Sequence, residues 1–292
     1  MKKFFPIIDS ELRLLHPEAR KIENFKNFDK PIRKDVFDHS KAKNTIKLFN
    51  IESIKKSMEK CKIDFGIISG LAWTDQNMQK ENNEYVKSCI LKNSKRFRGL
   101  YIPDVSSPDK AADEIMNLNK KIYVGVELIP KWQAININQE NLEPIFNAVM
   151  KRNLFLKVYT AHPTQTLDGD APYRTLQFLK KYPKIRTLIP HMGGMLCVYG
   201  LFPPIRKIIK NAFFITSVSA TMKMVKFAAE VNPNNILFGT DYPGNHCFNQ
   251  MTPLNQIKKM DISNNAKKNI LGKKAFMMFG FSSKIKLKNN FE

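Results

Sequence analysis

Eight short apolar runs rich in β-forming residues, separated by longer amphipathic stretches, constrain the fold of this chain more than any other feature of its sequence. Runs of about four to eight residues without a clean in/out alternation are typical of parallel strands that are covered on both faces. The runs are Phe5–Asp9, Ile63–Ser69, Gly99–Pro103, Tyr123–Leu128, Leu154–Tyr159, Ile185–Ile189, Ala212–Thr216 and Ile236–Thr240.

The stretches between the runs are long enough for the helices that connect parallel strands. Examples are Asn44–Lys60, Pro108–Asn119, Leu142–Arg152 and Tyr173–Lys181. Alternation of strand and helix with eight strands predicts an α/β fold, a closed (β/α)8 TIM barrel, rather than an open sheet. A chain of 292 residues is long enough for one such barrel.

Two segments depart from the alternation. The polar stretch Leu14–Lys43 contains Pro17 and Pro31 and predicts a loop inserted after the first strand. Residues 282–292 carry three lysines and predict a solvated basic tail rather than a binding arm. We therefore expect a single barrel domain over residues 1–281.

The chain is strongly basic, with 48 Lys and Arg against 26 Asp and Glu and a formal net charge of +22. The excess is mostly lysine dispersed along the chain, without an arginine-rich tract, so we expect no specific nucleic-acid partner. A positive field would instead gather a small anionic molecule, and we expect the substrate to be one. A content of 43% hydrophobic and 25% charged residues excludes a wholly disordered chain.

The spacing of the cysteines and the length of the apolar runs indicate where in the cell the protein is expected. Cys61, Cys89, Cys197 and Cys247 are isolated and form no CxxC pair, which favours reduced thiols in a cytoplasm. No run of about 18 apolar residues could span a bilayer. We expect a cytoplasmic protein without a membrane partner.

Ionisable and polar residues gather where the runs end. In a barrel of parallel strands, the loops after the carboxyl ends of the strands converge on one mouth, where functional residues lie. The residues at these ends are Asp9, Glu11, Arg13, Ser69, Asp104, Glu127, Tyr159, His162, His191, Ser217 and Asp241. A mixture of acid, base and cation predicts a site at the mouth.

Two motifs at these ends are the most specific. Residues 189–194 read Ile-Pro-His-Met-Gly-Gly, and residues 236–243 read Ile-Leu-Phe-Gly-Thr-Asp-Tyr-Pro. Each is an apolar strand that stops at one ionisable residue, His191 or Asp241, before the backbone turns sharply. In this order and about fifty residues apart they resemble signatures of the amidohydrolase superfamily. The start at Ile7, the segment 124–130 and the segment 270–276 agree with the amidohydrolase-2 group, which includes the aminocarboxymuconate semialdehyde decarboxylase-like enzymes.

The resemblance implies a divalent metal and an Asp-x-His-x-His motif at the end of the first strand. Here that motif reads Asp9-Ser10-Glu11-Leu12-Arg13, so both histidines are missing. Glu11 and Asp241 could offer oxygens to zinc or manganese, whereas Arg13 cannot be a ligand. Repulsion between Arg13 and a cation is on the order of 4 kcal/mol per unit charge pair at about 4 Å with an effective dielectric constant of about 20.

A metal-independent branch that resembles the pyrone-dicarboxylate lactonases implies another chemistry. Asp241 would then activate water as general base, and His191, the strand-six histidine of the family, would shuttle the proton. Arg13 and Tyr159 would bind a substrate carboxylate, with Lys157 and His162 as further contacts. A homodimer is also implied by the resemblance.

Several alternatives stay open at the level of the sequence. Glu11 and Arg13 lie two positions apart on one strand face, so they form either a salt bridge or a substrate site. Glu127 is expected to form a structural ion pair. For the whole chain we consider a hydrolase acting on a small carboxylated molecule, a metal-dependent decarboxylase or related lyase, and a barrel that binds a ligand without turnover.

Overall fold

The computed structural model describes residues 5–21, 45–160, 172–217, 222–244 and 249–282. Eight parallel strands follow one another around a single sheet in chain order, as the sequence predicts for a (β/α)8 TIM barrel. The strands are β1 (Ile8–Arg13), β2 (Phe65–Ser69), β3 (Phe97–Tyr101), β4 (Tyr123–Leu128), β5 (Phe155–Val158), β6 (Arg186–Ile189), β7 (Ala212–Ile215) and β8 (Ile236–Leu237).

Helices cover the outside of the barrel between the strands. Within the described residues they are α1 (Ile51–Cys61), α2 (Gln76–Lys92), α3 (Pro108–Met116), α4 (Pro130–Gln133), α5 (Glu143–Lys151), α6 (Pro172–Lys181), α7 (Leu196–Tyr199), α8 (Pro203–Ile208), α9 (Met222–Val231), α10 (Met251–Lys259), α11 (Asn264–Lys268) and α12 (Lys274–Phe279). The first two helices begin at side-chain caps, because Asn50 accepts from the Ser53 amide at 2.8 Å and Asp75 accepts from the Met78 amide at 2.8 Å.

The first and last strands close the barrel through backbone hydrogen bonds. The Ser10 amide donates to the Phe238 carbonyl and the Arg13 amide donates to the Tyr242 carbonyl, both at 2.9 Å. Because β8 itself is short, these two bonds carry the contact from β8 into the turn that follows it. They place the residue after β8 next to the end of β1.

The lower half of the barrel interior, at the amino ends of the strands, is apolar. Its buried members include Ile8, Phe65, Ile67, Leu100, Phe155, Leu188, Ile215 and Leu237. Ala275 and Phe279 of α12, followed by Phe281, pack against the same cluster. The last described helix therefore closes the bottom of the barrel.

A β-bulge in β1 separates this apolar half from the charged half above it. Asp9 pairs with Gly66 and Leu12 with Ile68, so three steps along β1 correspond to two along β2. A one-residue shift changes which side chains face inward. Ile8 can therefore belong to the interior apolar cluster while Glu11 and Arg13 reach the ion cluster at the mouth.

The observed strand bounds correct the sequence expectation at one important place. The first strand runs from Ile8 to Arg13 instead of ending at Asp9, because the polar residues Ser10, Glu11 and Arg13 are fully buried within the strand. Most of the predicted inserted loop, all but the first residue of the predicted tail, and His162 lie outside the described residues. In the part of the chain that the structure describes, no helix is long and apolar enough to cross a membrane.

Candidate active site

Five ionisable side chains from four parts of the barrel meet at its mouth. Glu11 and Arg13 come from β1, Glu127 from β4, Lys157 from β5, and Asp241 from the turn after β8. The side chains of the first four are at most 2% exposed, whereas that of Asp241 is 13% exposed. We refer to these five residues as the ion cluster.

Arg13 occupies the centre of the ion cluster. Its Nε donates to Asp241 Oδ1 at 2.9 Å, and its Nη2 donates to Glu11 Oε1 at 3.0 Å. Its Nη1 lies 2.9 Å from Glu127 Oε1. Each of the three guanidinium nitrogens therefore contacts a different carboxylate, a geometry that suits the planar fork of arginine.

The end of β2 supports the same guanidinium. Arg13 Nη1 donates to Ser69 Oγ at 2.9 Å and lies 3.3 Å from the Gly70 carbonyl oxygen. Ser69 is the register partner of Arg13 in the sheet and also hydrogen-bonds Glu127. Arg13 thus has its donors engaged inside the protein, which leaves little of its fork for a substrate carboxylate.

Lys157 links the two glutamates from the other side. Its ammonium contacts Glu11 Oε1 in a short ion pair and lies 3.0 Å from Glu127 Oε1. Glu127 and Lys157 are register partners on neighbouring strands, so the sheet itself brings them together. One oxygen of each glutamate therefore bridges both cations.

The cations keep the two glutamates ionised. Burial alone would raise the pKa of Glu11, but the charges of Lys157, Arg13 and His191 outweigh burial and lower this pKa to about 2. Burial would also raise the pKa of Glu127, and Arg13 with Lys157 lowers it instead. The pKa of Arg13 rises above its ordinary value because its three carboxylate neighbours outweigh burial.

Asp241 differs from the other carboxylates of the ion cluster. Burial and then the negative charge of Glu11 raise the pKa of Asp241 to about 6, although Arg13 and Lys157 act in the opposite direction. Arg13 donates to one of the Asp241 oxygens, Oδ1. The other oxygen, Oδ2, lies close to Gly244, since a methyl group built on that glycine would stand 3.4 Å from it. A carboxylate in this setting exchanges a proton near neutral pH.

His191 lies beside the ion cluster at the end of β6. Its side chain is close enough to Glu11 for its charge to lower the pKa of that carboxyl. Its amide donates to Ser217 Oγ at 3.1 Å, and its ring meets the ring of Tyr159 edge-on, with centroids 4.7 Å apart. Glu11 thus links the two residues singled out by sequence motifs, His191 and Asp241, in one electrostatic environment.

Both motif residues have left-handed backbone conformations, which bulky residues rarely adopt. The φ angle is 55° at His191 and 56° at Asp241, and Met192 follows at 53°. Non-glycine residues in this region cost about 1–3 kcal/mol each, and such residues cluster at functional sites. The sharp turns that the sequence motifs predict are therefore present where strands β6 and β8 end.

Asp9 does not join the ion cluster. Its Oδ2 accepts from Thr240 Oγ1 at 2.6 Å and from Gln250 Nε2 at 2.7 Å, and its Oδ1 accepts from the Thr240 and Glu11 amides. These bonds tie the start of β1 to the turn after β8, and burial raises the pKa of Asp9 to about 7 against them. Asp9 was predicted at the mouth without its partners Thr240 and Gln250, because the bulge that separates its facing from that of Glu11 and Arg13 has no sequence signature.

The other predicted site residues lie at or near the mouth. Tyr159 is half-buried, and its ring stacks on Trp132 at 6.0 Å between centroids. Lys157 is fully buried in the ion cluster, and Glu127 forms the ion pair expected for it. The central position of Lys157 was not expected from the sequence, although a lysine within the apolar run Leu154–Tyr159, opposite a glutamate on the preceding strand, was the available signal.

Comparison with known families places the chain in one of them. The model of the amidohydrolase family matches residues 64–281, which is well over half of the chain. The chain therefore belongs to the amidohydrolase family, and this placement indicates an enzyme. No curated protein sequence matches the chain significantly.

Solved structures of similar fold include decarboxylases. The 5-carboxyvanillate decarboxylase of Novosphingobium aromaticivorans, in complex with manganese and 4-hydroxy-3-methoxy-5-nitrobenzoic acid, has a TM-score of 0.76 and 16% identity over 96% of this chain and 97% of its own. The 2,6-dihydroxybenzoate decarboxylase of Rhizobium has a TM-score of 0.74 and 16% identity over 95% and 99%. A dihydroxybenzoic acid decarboxylase of a Polaromonas species, with bound manganese and 2-nitroresorcinol, has a TM-score of 0.71 and 17% identity over 95% and 97%.

The ion cluster does not fit the manganese that two of these structures hold. The carboxylates of Glu11, Glu127 and Asp241 are the oxygen ligands that the ion cluster could offer, and all three contact the Arg13 guanidinium. Arginine stays charged at every pH at which proteins are folded, so it neither binds a metal nor yields its place by losing a proton. Among the described residues, no group of three or more His, Cys, Asp and Glu side chains is arranged to hold a metal ion.

Proposed function

We propose that this chain is a lyase that releases carbon dioxide from a small hydroxylated aromatic acid, with Asp241 as the proton donor. The fold neighbours with a stated activity act on aromatic carboxylic acids, which favours the decarboxylase alternative over the hydrolase. The observation that carries the proposal is the position of Asp241, the one carboxylate of the ion cluster whose side chain is noticeably exposed at the barrel mouth.

The geometry of Asp241 suits proton transfer to a bound molecule. Its hydrogen bond from Arg13 fixes the orientation of the carboxyl group, and the turn after β8 points it into the mouth. Its pKa of about 6 lets it carry a proton near neutral pH, whereas Glu11, with a pKa of about 2, stays ionised. Two neighbouring carboxyls whose environments separate their pKa values are a common arrangement for acid–base chemistry.

The step we assign to Asp241 is protonation of the ring carbon that carries the carboxylate. The proton forms a new C–H bond, the bond between that carbon and the carboxylate breaks, and its electron pair returns to the ring as carbon dioxide leaves. A hydroxyl group next to the carboxylate stabilises the ring cation formed on the way. Asp241 then regains its proton from solvent, so neither an oxidant nor a reductant is needed.

The remaining residues have supporting roles in this proposal. Arg13 is a positioning residue, because its donors hold Asp241 and the two glutamates rather than a substrate carboxylate. Tyr159 and His191 form an edge-on pair beside the ion cluster and are candidates for contact with the substrate ring. His162 was predicted as a further contact and lies outside the described residues.

Release of carbon dioxide from a panel of hydroxybenzoates tests the proposal. The panel includes 2,6-dihydroxybenzoate, 5-carboxyvanillate and benzoate without a hydroxyl group. We expect turnover of at least one hydroxylated acid and a loss of about 10²–10⁴-fold in kcat for Asp241→Asn. Asp113→Asn, a change of an exposed aspartate on α3, is the matched control and should keep full activity.

Two results would contradict this assignment. Undiminished carbon dioxide release by folded Asp241→Asn would show that the proton comes from another group. Binding of hydroxybenzoates, seen as a rise in melting temperature, with no release of carbon dioxide by the wild type would favour the third alternative, a barrel that binds without turnover.

A further inference from the structure

The charge balance of the ion cluster leads to an inference about divalent metals. Three carboxylates, Glu11, Glu127 and Asp241, face the two cations Arg13 and Lys157. Two positive charges are what one divalent ion would supply to the same carboxylates. We propose that Arg13 and Lys157 together replace a divalent ion in this chain, so that the mouth carries a built-in cation pair instead of a metal.

Arg13 and Lys157 are coupled because they contact the same two glutamate oxygens. Glu11 Oε1 receives both the Arg13 Nη2 donor, at 3.0 Å, and the Lys157 ammonium. Glu127 Oε1 is shared in the same way, with Arg13 Nη1 at 2.9 Å and Lys157 Nζ at 3.0 Å. Asp241 Oδ1 is held by Arg13 Nε at 2.9 Å. An ion bound among these three carboxylates would have to overlap the guanidinium.

Removal of both cations would leave the buried carboxylates without their ion-pair partners. The side chains of Arg13, Lys157, Glu11 and Glu127 are between 0% and 2% exposed, so water does not substitute for a missing partner. Burial of an uncompensated charge is strongly unfavourable, and bound cations relieve it. The same carboxylates should therefore accept a divalent ion once the organic cations are removed. The inference does not depend on the proposed decarboxylation, because it is tested without a substrate.

The experiment measures manganese bound to the wild type and to a variant in which both cations are removed. Arg13→His combined with Lys157→Met leaves three carboxylates and an imidazole, which are ligand types that manganese accepts. Each protein is treated with a chelator, incubated with manganese chloride, passed through a desalting column and analysed for metal. We expect almost no manganese on the wild type and about one ion per chain on the double variant.

Matched variants locate the gained site. Arg96→His changes an arginine that pairs with Glu59 on the outside of the barrel, and it should gain no manganese. Addition of Asp241→Asn to the double variant should lower the manganese affinity at least about tenfold, because it removes one carboxylate ligand. Equal binding with and without Asp241→Asn would place the ion elsewhere and overturn the inference.

A second measurement keeps the inference testable if the double variant does not fold. The melting temperature of the wild type is recorded with increasing manganese chloride, and no rise is expected, since a protein that binds no ion gains no stability from it. A rise in melting temperature, or about one manganese ion retained per wild-type chain, would overturn the inference. A folded double variant that gains no manganese would do the same.

Discussion

The two ends of the barrel interior differ in polarity, since one is lined by apolar and the other by charged side chains. The lower half is a plug of aliphatic and aromatic side chains closed by α12, and the upper half is the ion cluster. Both halves are buried, but burial acts on them with opposite sign, because it stabilises apolar side chains and opposes every charge. The lower half therefore stabilises the barrel, whereas the upper half is tolerated only because each charge is paired with at least one of opposite sign.

The bulge in β1 is the structural boundary between the two halves. It lets a single strand contribute Ile8 to the apolar plug and Glu11 with Arg13 to the ion cluster. In TIM barrels, residues at the carboxyl ends of the strands serve function and those at the amino ends serve stability. We therefore expect substitutions at the mouth and at the bottom of the barrel to differ in their effects on stability, on its pH dependence and on activity.

The largest effect is expected from Arg13→Met. The change takes from Asp241 its ion-pair partner and leaves Glu11 and Glu127 with Lys157 alone, so the free energy of unfolding should fall by about 5 kcal/mol at neutral pH, at the upper end of the range for broken buried pairs. Urea denaturation measures the loss. Lys226→Met removes an exposed ion pair with Asp261 and should cost less than about 1 kcal/mol.

The pH dependence of this loss follows from the lowered pKa values of the glutamates. The pKa of Glu11 is lowered to about 2 in the folded protein, so its contribution is fully present above its ordinary value and is lost as pH falls towards 2. We therefore expect the gap between wild type and Arg13→Met to narrow between about pH 4.5 and pH 2.5. A gap that stays constant over this range would show that Arg13 acts through packing alone.

At the other end of the barrel, Phe155→Ala should destabilise the fold by about 3–4 kcal/mol. The Phe155 ring is buried between the rings of Phe213 and Phe279, at centroid distances of 6.4 and 5.4 Å. Unlike Arg13→Met, this loss should be nearly independent of pH, since the Arg186 guanidinium that lies over the ring, 4.1 Å from its centroid, keeps its charge at every pH measured. Phe202→Ala, at a 62% exposed position, should change stability by less than about 0.5 kcal/mol.

The difference between the apolar and the charged half of the barrel also explains how much of the structure can be predicted from the sequence. The number and order of the strands follow from apolar runs, and the observed β4, Tyr123–Leu128, has the predicted bounds. The motif turns place His191 and Asp241 at strand ends. Charged residues inside a strand are harder to interpret, because Lys157 reaches Glu11 across 146 positions of sequence and their contact depends on the bulge and on barrel closure.

The pH dependence of activity distinguishes the two chemistries considered for Asp241. A decarboxylase needs the protonated form as donor, so kcat/KM should fall about tenfold per pH unit above about pH 6. A hydrolase in which Asp241 activates water needs the ionised form, and its kcat/KM would rise through the same pH. Initial rates between pH 5 and pH 8 on an active hydroxybenzoate show whether kcat/KM falls or rises with pH. A kcat/KM that rises with pH over this range would contradict the proton-donor role of Asp241.

The smallest effect concerns backbone strain, which both ends of the barrel contain. Lys62, between α1 and β2 at the bottom, has a φ angle of 56°, close to that of Asp241 at the mouth. Its exposed side chain ends a helix, where glycine is favoured, so Lys62→Gly should stabilise the protein by roughly 0.5–1 kcal/mol. Lys60→Gly, within α1 two residues earlier, should instead destabilise it by about 1 kcal/mol. Urea denaturation of both variants makes the comparison. A loss of stability in Lys62→Gly would mean that the lysine side chain stabilises the fold by more than its backbone strain costs. The bottom of the barrel would then resemble the mouth, where strained backbone is kept at residues whose side chains are needed.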